Sequence, residues 1–178
     1  MNDVAFTAAA TRLCTACGMC CDGTMFQIVK MQPGDHPAAL AKLGMRIRHK
    51  DGEFHMEQPC PALKKRRCEI YDQRPVRCRL FTCQQLRLLA AGETTEAAAL
   101  ARITETRALA MQVRALITQC GLREDGQPLI ERFERLTSTP VDARLEPELA
   151  AAREDLQNAM RRLRLVINRE FRPPPLSA

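Results

Sequence analysis

The sequence predicts an α+β protein, mostly α, in which a small cysteine-rich module packs against a helical C-terminal half. Three observations predict it. Eight of the nine cysteines fall between residues 14 and 83, so the first half is organised around sulfur rather than around a large apolar core. Prolines, glycines and short alternating segments punctuate that half, as strands and tight turns require. Beyond residue 92 the apolar residues recur at helical spacing over long uninterrupted stretches. The predicted boundary therefore falls between a cysteine-cluster module at 1–92 and a helical region with a Pro-rich tail at 93–178, the two forming one compact unit.

The elements follow in order. Residues 1–13, MNDVAFTAAATRL, carry an acidic residue and no apolar stretch of the kind an export signal needs. Met25–Lys30 (MFQIVK) alternates as a short strand does, Pro33-Gly34-Asp35 marks a turn, and Pro37–Leu43 makes two helical turns. Met45–His49 and Glu53–Met56 flank Asp51-Gly52, a hairpin signal because both turn residues tolerate positive φ. Gln58-Pro59-Cys60-Pro61 is irregular, since its prolines block regular pairing. Cys83–Ala91 reads as a short helix stopped at Gly92. Between Thr95 and Cys120 the stripe Leu100, Ile103, Leu109, Val113, Leu116, Ile117 and Cys120 predicts a long helix ended by Gly121. Pro128–Leu136 is a shorter helix, and Pro147–Phe171 a long one with Leu149, Leu156, Met160, Leu163 and Ile167 on one face. The RPPPLSA tail cannot be helical.

The cysteines are spaced C-x2-C-x2-C-C-x38-C-x7-C-x9-C-x4-C, from Cys14 to Cys83. Two-residue gaps let successive sulfurs converge on one point, a geometry shared by tetrahedral thiolate sites and iron–sulfur clusters. A disulfide framework is disfavoured, because no export signal is present and the cysteine count is odd. Metal thus staples the first half. Cys20 and Cys21 are adjacent, and neighbouring side chains point apart, so they serve two centres or one of them is a packing thiol. Eight cysteines divide into two sets of four, but spacing alone does not divide them. Zinc would give up to two closed four-thiolate sites. Iron is supported by Cys14-x2-Cys17-x2-Cys20, the bacterial ferredoxin triplet, and by Cys60-Pro61, a ferredoxin habit. A [4Fe–4S] cluster is the preferred cofactor, with zinc as the alternative.

The formal charge of +6 counts every cysteine as neutral, whereas ligating cysteines are thiolates. Lys64, Lys65, Arg66, Arg67, Arg74, Arg77 and Arg79 all lie between Cys60 and Cys83, where they would stabilise an anionic centre. Nucleic acid is therefore not a favoured partner, although an unidentified protein partner is compatible with the chain. Arg74, Arg77 and Arg79 are candidates to donate hydrogen bonds toward sulfur and tune the centre. Ile70, Tyr71, Leu80 and Phe81 are expected to wall the centre off from water. Cys120 is read as a buried structural thiol. His36, His49 and His55 lack paired ligand spacing, though His49 and His55 flank the predicted turn and could approach each other. The Arg161-Arg162-Leu163-Arg164 stretch reads as the solvated face of an amphipathic helix.

The run CTACGMCC, then CPAL, then CEIYDQRPVRCRLFTC resembles the YkgJ-type CxxCxxCC family, described as zinc- or iron-chelating proteins. The resemblance spans residues 14–83 and implies metal binding through Cys14, Cys17, Cys20, Cys21, Cys60, Cys68, Cys78 and Cys83. The cluster is also similar to that of flagellin lysine-N-methylases, where it is associated with an iron–sulfur centre. No glycine-rich strand-to-helix turn of the kind that cradles nucleotides accompanies it here. The expected function is a non-enzymatic metal-binding protein acting in redox sensing, electron transfer or metal handling. The alternative is a zinc-stapled interaction module whose basic or helical surface binds a protein or nucleic-acid partner. No run approaches the roughly 20 apolar residues that span a bilayer, so a cytoplasmic location without membrane contact is expected.

Overall fold

A computed structural model describes residues 3–123 and 126–174. Helix takes 55% of the described residues and strand 10%, so the class is α+β with α dominant, as the sequence predicts. Two compact units divide it. A helical unit draws on Met1–Cys17, Thr82–Glu124 and Phe133–Ala178, and a cysteine unit on Gly18–Phe81 and Asp125–Arg132.

In the helical unit, α1 (Asp3–Cys17), α4 (Gln84–Ala91), α5 (Glu96–Gln119) and α7 (Pro147–Glu170) are joined by part of α6 (Leu129–Thr137). Helices α5 and α7 are the principal pair. They run antiparallel: Arg102 lies 3.6 Å from Glu170 at one end, and Arg153 acts on Cys120 at the other. The buried stripe on α5 is Ala99, Ile103, Thr106, Ala110, Val113 and Ile117. It differs from the predicted stripe, because Leu100, Leu109 and Leu116 are only half-buried. The seam instead alternates steps of three and four through small residues, which lets two helices approach closely. Thr106 fits there because its hydroxyl donates to the Arg102 carbonyl at 2.8 Å, leaving no polar group unpaired. On α7, Leu156, Met160, Leu163 and Ile167 are buried as expected, together with Ala152 and Ala159, while Leu149 is half-buried.

Thr95 caps α5 by accepting the Ala98 N–H at 3.2 Å. At the other end Gly121, at φ +89°, turns the chain so that the Leu122 N–H reaches the Ile117 carbonyl at 3.2 Å. Helix α1 has no counterpart in the sequence reading. It buries Ala9 and Leu13, Arg12 forks onto Glu96 at 2.6 and 2.7 Å, and the Arg107 guanidinium donates to the Cys17 carbonyl. That last bond satisfies a carbonyl which the helix end would otherwise leave open.

The cysteine unit holds β1 (Ile28–Lys30), α2 (Pro37–Lys42), β2 (Ile47–Lys50) and β3 (Glu53–Glu57). They form an antiparallel sheet in the order β1-β3-β2. Strands β2 and β3 pair Lys50 with Glu53 around Asp51 and Gly52 at φ +53° and +78°, the predicted hairpin. The predicted strand Met25–Lys30 is shorter than expected. The Met25 N–H is taken by the Met19 carbonyl at 3.0 Å, and Phe26 stacks edge-on against Phe81 at 5.1 Å. His49 faces Phe54 and His55 faces Arg48 across the hairpin, so the two histidines point to opposite sides of the sheet.

A two-residue ribbon, β4 (Leu63–Lys64) with β5 (Arg67–Cys68), follows. Its turn is Lys65-Arg66, both at positive φ, +46° and +66°. Neither is a residue that favours this region, and each costs about 1–2 kcal/mol of backbone strain. A short 3-10 turn at Tyr71–Gln73 and the five-residue helix α3 (Val76–Leu80) complete the unit. No described helix is long and apolar enough to cross a membrane. Arg172–Pro174 is non-helical, as predicted for the tail, and residues 175–178 lie outside the described residues.

Candidate metal centre

Four cysteines from separated stretches of the cysteine unit gather on one apolar cluster. Leu40, Met45, Met56, Cys60 and Ala62 form its buried heart, and Cys21, Cys68 and Cys78 pack against it. Cys21 is set by a tight turn in which its own N–H and that of Asp22 reach the Gly18 carbonyl at 2.9 and 3.0 Å. Gly23, next in line, has φ +77°, and a Cβ there would stand 3.0 Å from the Pro128 Cα and 3.2 Å from the Pro59 ring. Only glycine lets the chain pass between them. Cys60 donates its N–H to the Cys21 carbonyl at 2.7 Å, so the first and second cysteine segments are joined backbone to backbone. Cys68 lies opposite Leu63 in the ribbon, whose N–H reaches the Cys60 carbonyl at 3.0 Å. Cys78 rides on α3, and Asp35 fixes that helix. Its carboxylate accepts the Val76 N–H at 2.8 Å and the Gln32 N–H at 2.7 Å.

The four sulfurs sense one another. Burial pushes the Cys21 thiol up to about 12, and the charges of Cys60, Cys78 and Cys68 push the same way. Burial likewise raises Cys78 to about 12, followed by Cys60 and Cys68, while Arg74 pulls it down. Cys60 is raised by burial too. Its sulfur accepts backbone N–H groups from Ala62 and Leu63, and Arg46 stabilises its ionised form. Four anions cannot share this apolar place alone, since buried charge must be compensated. A thiophilic cation would supply the compensation, and an all-thiolate donor set suits zinc and iron. The residues present therefore fit such a group. As the side chains stand, no three Cys, His, Asp and Glu residues among the described ones are close enough to hold an ion between them.

The other predicted ligands are placed as follows. Cys14, exposed, and Cys17, half-buried, lie three residues apart on α1, a spacing that puts both on one helix face. Cys20 is half-buried in the turn that begins at Gly18. Cys83 precedes α4; burial raises its thiol, and the nearby backbone amides at the start of that helix act against the rise. Cys120 is buried at the end of α5.

Of the three candidate tuning arginines, Arg74 acts on Cys78. Its guanidinium also lies 3.6 Å above the Tyr71 ring and donates to the Tyr71 carbonyl at 2.8 Å. Arg77 and Arg79 are exposed. The expected wall is only partly built. Ile70 packs on the cluster and Phe81 on Phe26, whereas Tyr71 and Leu80 are 51% and 74% exposed. Leu80 sits at the open end of a five-residue helix that has no second layer to cover it. Three contributors escaped the sequence reading. The Met45 Sδ lies 3.8 Å from the Cys60 Sγ, Arg46 acts on Cys60, and Asp35 anchors α3. Asp35 showed only as a turn residue, and its second bond joins positions 41 residues apart.

No curated protein and no solved structure matches the chain. The profile of the CxxCxxCC family, described as “Putative zinc- or iron-chelating domain”, matches residues 13–112. That is more than half of the 178 residues, and it takes in all eight cysteines of the frame. The chain belongs to the CxxCxxCC family of zinc- or iron-chelating domains.

Proposed function

We propose that Cys21, Cys60, Cys68 and Cys78 hold a metal centre as thiolates, and that carrying this centre for redox sensing, electron transfer or metal handling is what the protein does. The observation behind it is the meeting of four cysteines, from four separate stretches of chain, on one apolar cluster. Four protein thiolates leave no open coordination position. Such a centre neither activates water nor polarises a carbonyl. Cys14, Cys17, Cys20 and Cys83 are the further donors that the spacing of the frame offers.

The first reading of the metal is a [4Fe–4S] cluster. It rests on Cys60-Pro61, within the group of four, and on Cys14-x2-Cys17-x2-Cys20, among the further donors. Zinc is the second reading, favoured by the close packing at Cys60, where the Met45 sulfur is 3.8 Å away and one ion needs less room than a cluster. Purification without oxygen separates them. Brown protein with broad visible absorbance, iron and acid-labile sulfide supports the cluster. Colourless protein with stoichiometric zinc would sink the cluster and leave zinc. Wild-type protein that retains neither metal would defeat both.

A further inference from the structure

Seven cations lie between Cys60 and Cys83. Arg74 is engaged locally, over the Tyr71 ring and on the Tyr71 carbonyl. Lys64, Lys65, Arg66, Arg67, Arg77 and Arg79 are all exposed. None of the six is in an ion pair among the described residues.

Their placement is specific. Lys64 and Arg67 are cross-strand partners in the β4-β5 ribbon, and Lys65 and Arg66 form its turn. Two-residue turns with both residues at positive φ are the province of Asn-Gly and Asp-Gly, and the same unit uses Asp51-Gly52 for its other hairpin. Here two long cationic side chains occupy the strained positions instead. Strain kept at an exposed tip points to a use for the side chains themselves.

We infer that this basic ribbon is a docking surface for the phosphate backbone of single-stranded nucleic acid. Four successive cations on a narrow ribbon match closely spaced phosphates, and they bear no groups arranged to read bases. Tyr71, three residues beyond Cys68, presents a half-exposed ring with Arg74 on one face. An exposed aromatic ring beside cations is what stacks an unpaired base. A lipid surface fits less well, because the tip carries no apolar side chain to insert. An acidic protein would also meet the cations, but its carboxylates are not held at the regular close spacing of a phosphate backbone. Only Glu69 and Asp72 oppose the cations within the segment. The inference holds whichever metal the protein carries.

The test is fluorescence anisotropy of a labelled single-stranded RNA of about 20 nucleotides, titrated with the full metal-loaded chain between about 50 and 200 mM salt. The double variant Lys65→Asn/Arg66→Gly installs the residues this turn prefers and removes two charges. It should bind about tenfold or more weakly and flatten the slope of log K against log salt by about 1.4, while melting no lower than wild type. Lys64→Gln/Arg67→Gln, which leaves the turn unchanged, should weaken binding similarly. Wild-type protein that fails to bind the RNA overturns the inference, as do variants that bind it unchanged. Displacement by polyglutamate as effective as by unlabelled RNA overturns it in favour of an acidic protein partner. Binding to anionic vesicles in place of RNA overturns it in favour of a membrane.

Discussion

At the scale of single residues, the sulfurs decide how stability depends on pH. Cys21 and Cys78 titrate at about 12 in the folded protein against 9.0 for an unperturbed thiol. Without metal, the fold favours the neutral form. The stability these two groups contribute is therefore complete below pH 9 and lost as pH rises toward about 12. With metal bound the sign reverses, because a ligating sulfur must be a thiolate and acid competes for it. Urea midpoints measured across pH, with and without metal, should move in opposite directions. Metal-free protein as stable at about pH 11 as at about pH 8 would contradict the burial of these thiols. Gly23 makes a second prediction. Gly23→Ala combines a positive φ with a 3.0 Å approach to the Pro128 Cα, backbone that has no rotamer to yield. It should cost about 1–3 kcal/mol by chemical denaturation, with an unchanged midpoint as the contrary result.

At the scale of elements, the α5–α7 seam depends on small side chains. Ala159 is 5% exposed on α7, so Ala159→Leu has no free volume to enter and should destabilise by about 1–3 kcal/mol; a neutral or stabilising effect would mean that the seam holds a cavity. The same seam shows what the sequence could reveal. Helices were legible wherever large apolar residues carried the period, as Leu156, Met160, Leu163 and Ile167 do on α7. On α5 the element was legible and so was half of its buried face, Ile103, Val113 and Ile117; the other half was not, because Ala99, Thr106 and Ala110 carry it and composition does not separate them from surface residues of the same types. The Asp51-Gly52 hairpin was legible because its turn chemistry is local. The Lys65-Arg66 ribbon was not, since its residues give no turn signal, and α1 was not, since Ala9 and Leu13 alone make no stripe. At the site, the zinc- or iron-chelating character of the domain was legible from the cysteine spacing. The grouping of Cys21 with Cys60, Cys68 and Cys78 was not, because it is made by tertiary bonds such as that of the Cys60 N–H to the Cys21 carbonyl.

At the scale of the whole molecule, the two units should respond differently to loss of metal. The helical unit has a core of its own in Ile103, Val113, Ile117, Leu156, Leu163 and Ile167, each no more than 5% exposed. The cysteine unit has roughly 70 residues, a size at which one apolar core rarely supplies more than about 3–5 kcal/mol. Its core cluster is built from Leu40, Met45, Met56 and Ala62 with cysteines around them. Its sheet has three strands of five residues or fewer. A thiolate-bound metal, which contributes on the order of 10 kcal/mol in small zinc-folded modules, would dominate that balance. Stripping the metal should thus loosen residues 18–81 and leave most of the helical signal in circular dichroism intact. Trypsin gives the local readout: the metal-free protein should be cut first at Lys64–Arg67, whose backbone is then no longer held by Cys60 and Cys68. Cys60→Ser should reproduce this pattern in the presence of metal. First cleavage within α5 or α7, or loss of helix and sheet in a single transition on metal removal, would show that the metal supports both units and would sink the division of labour argued here.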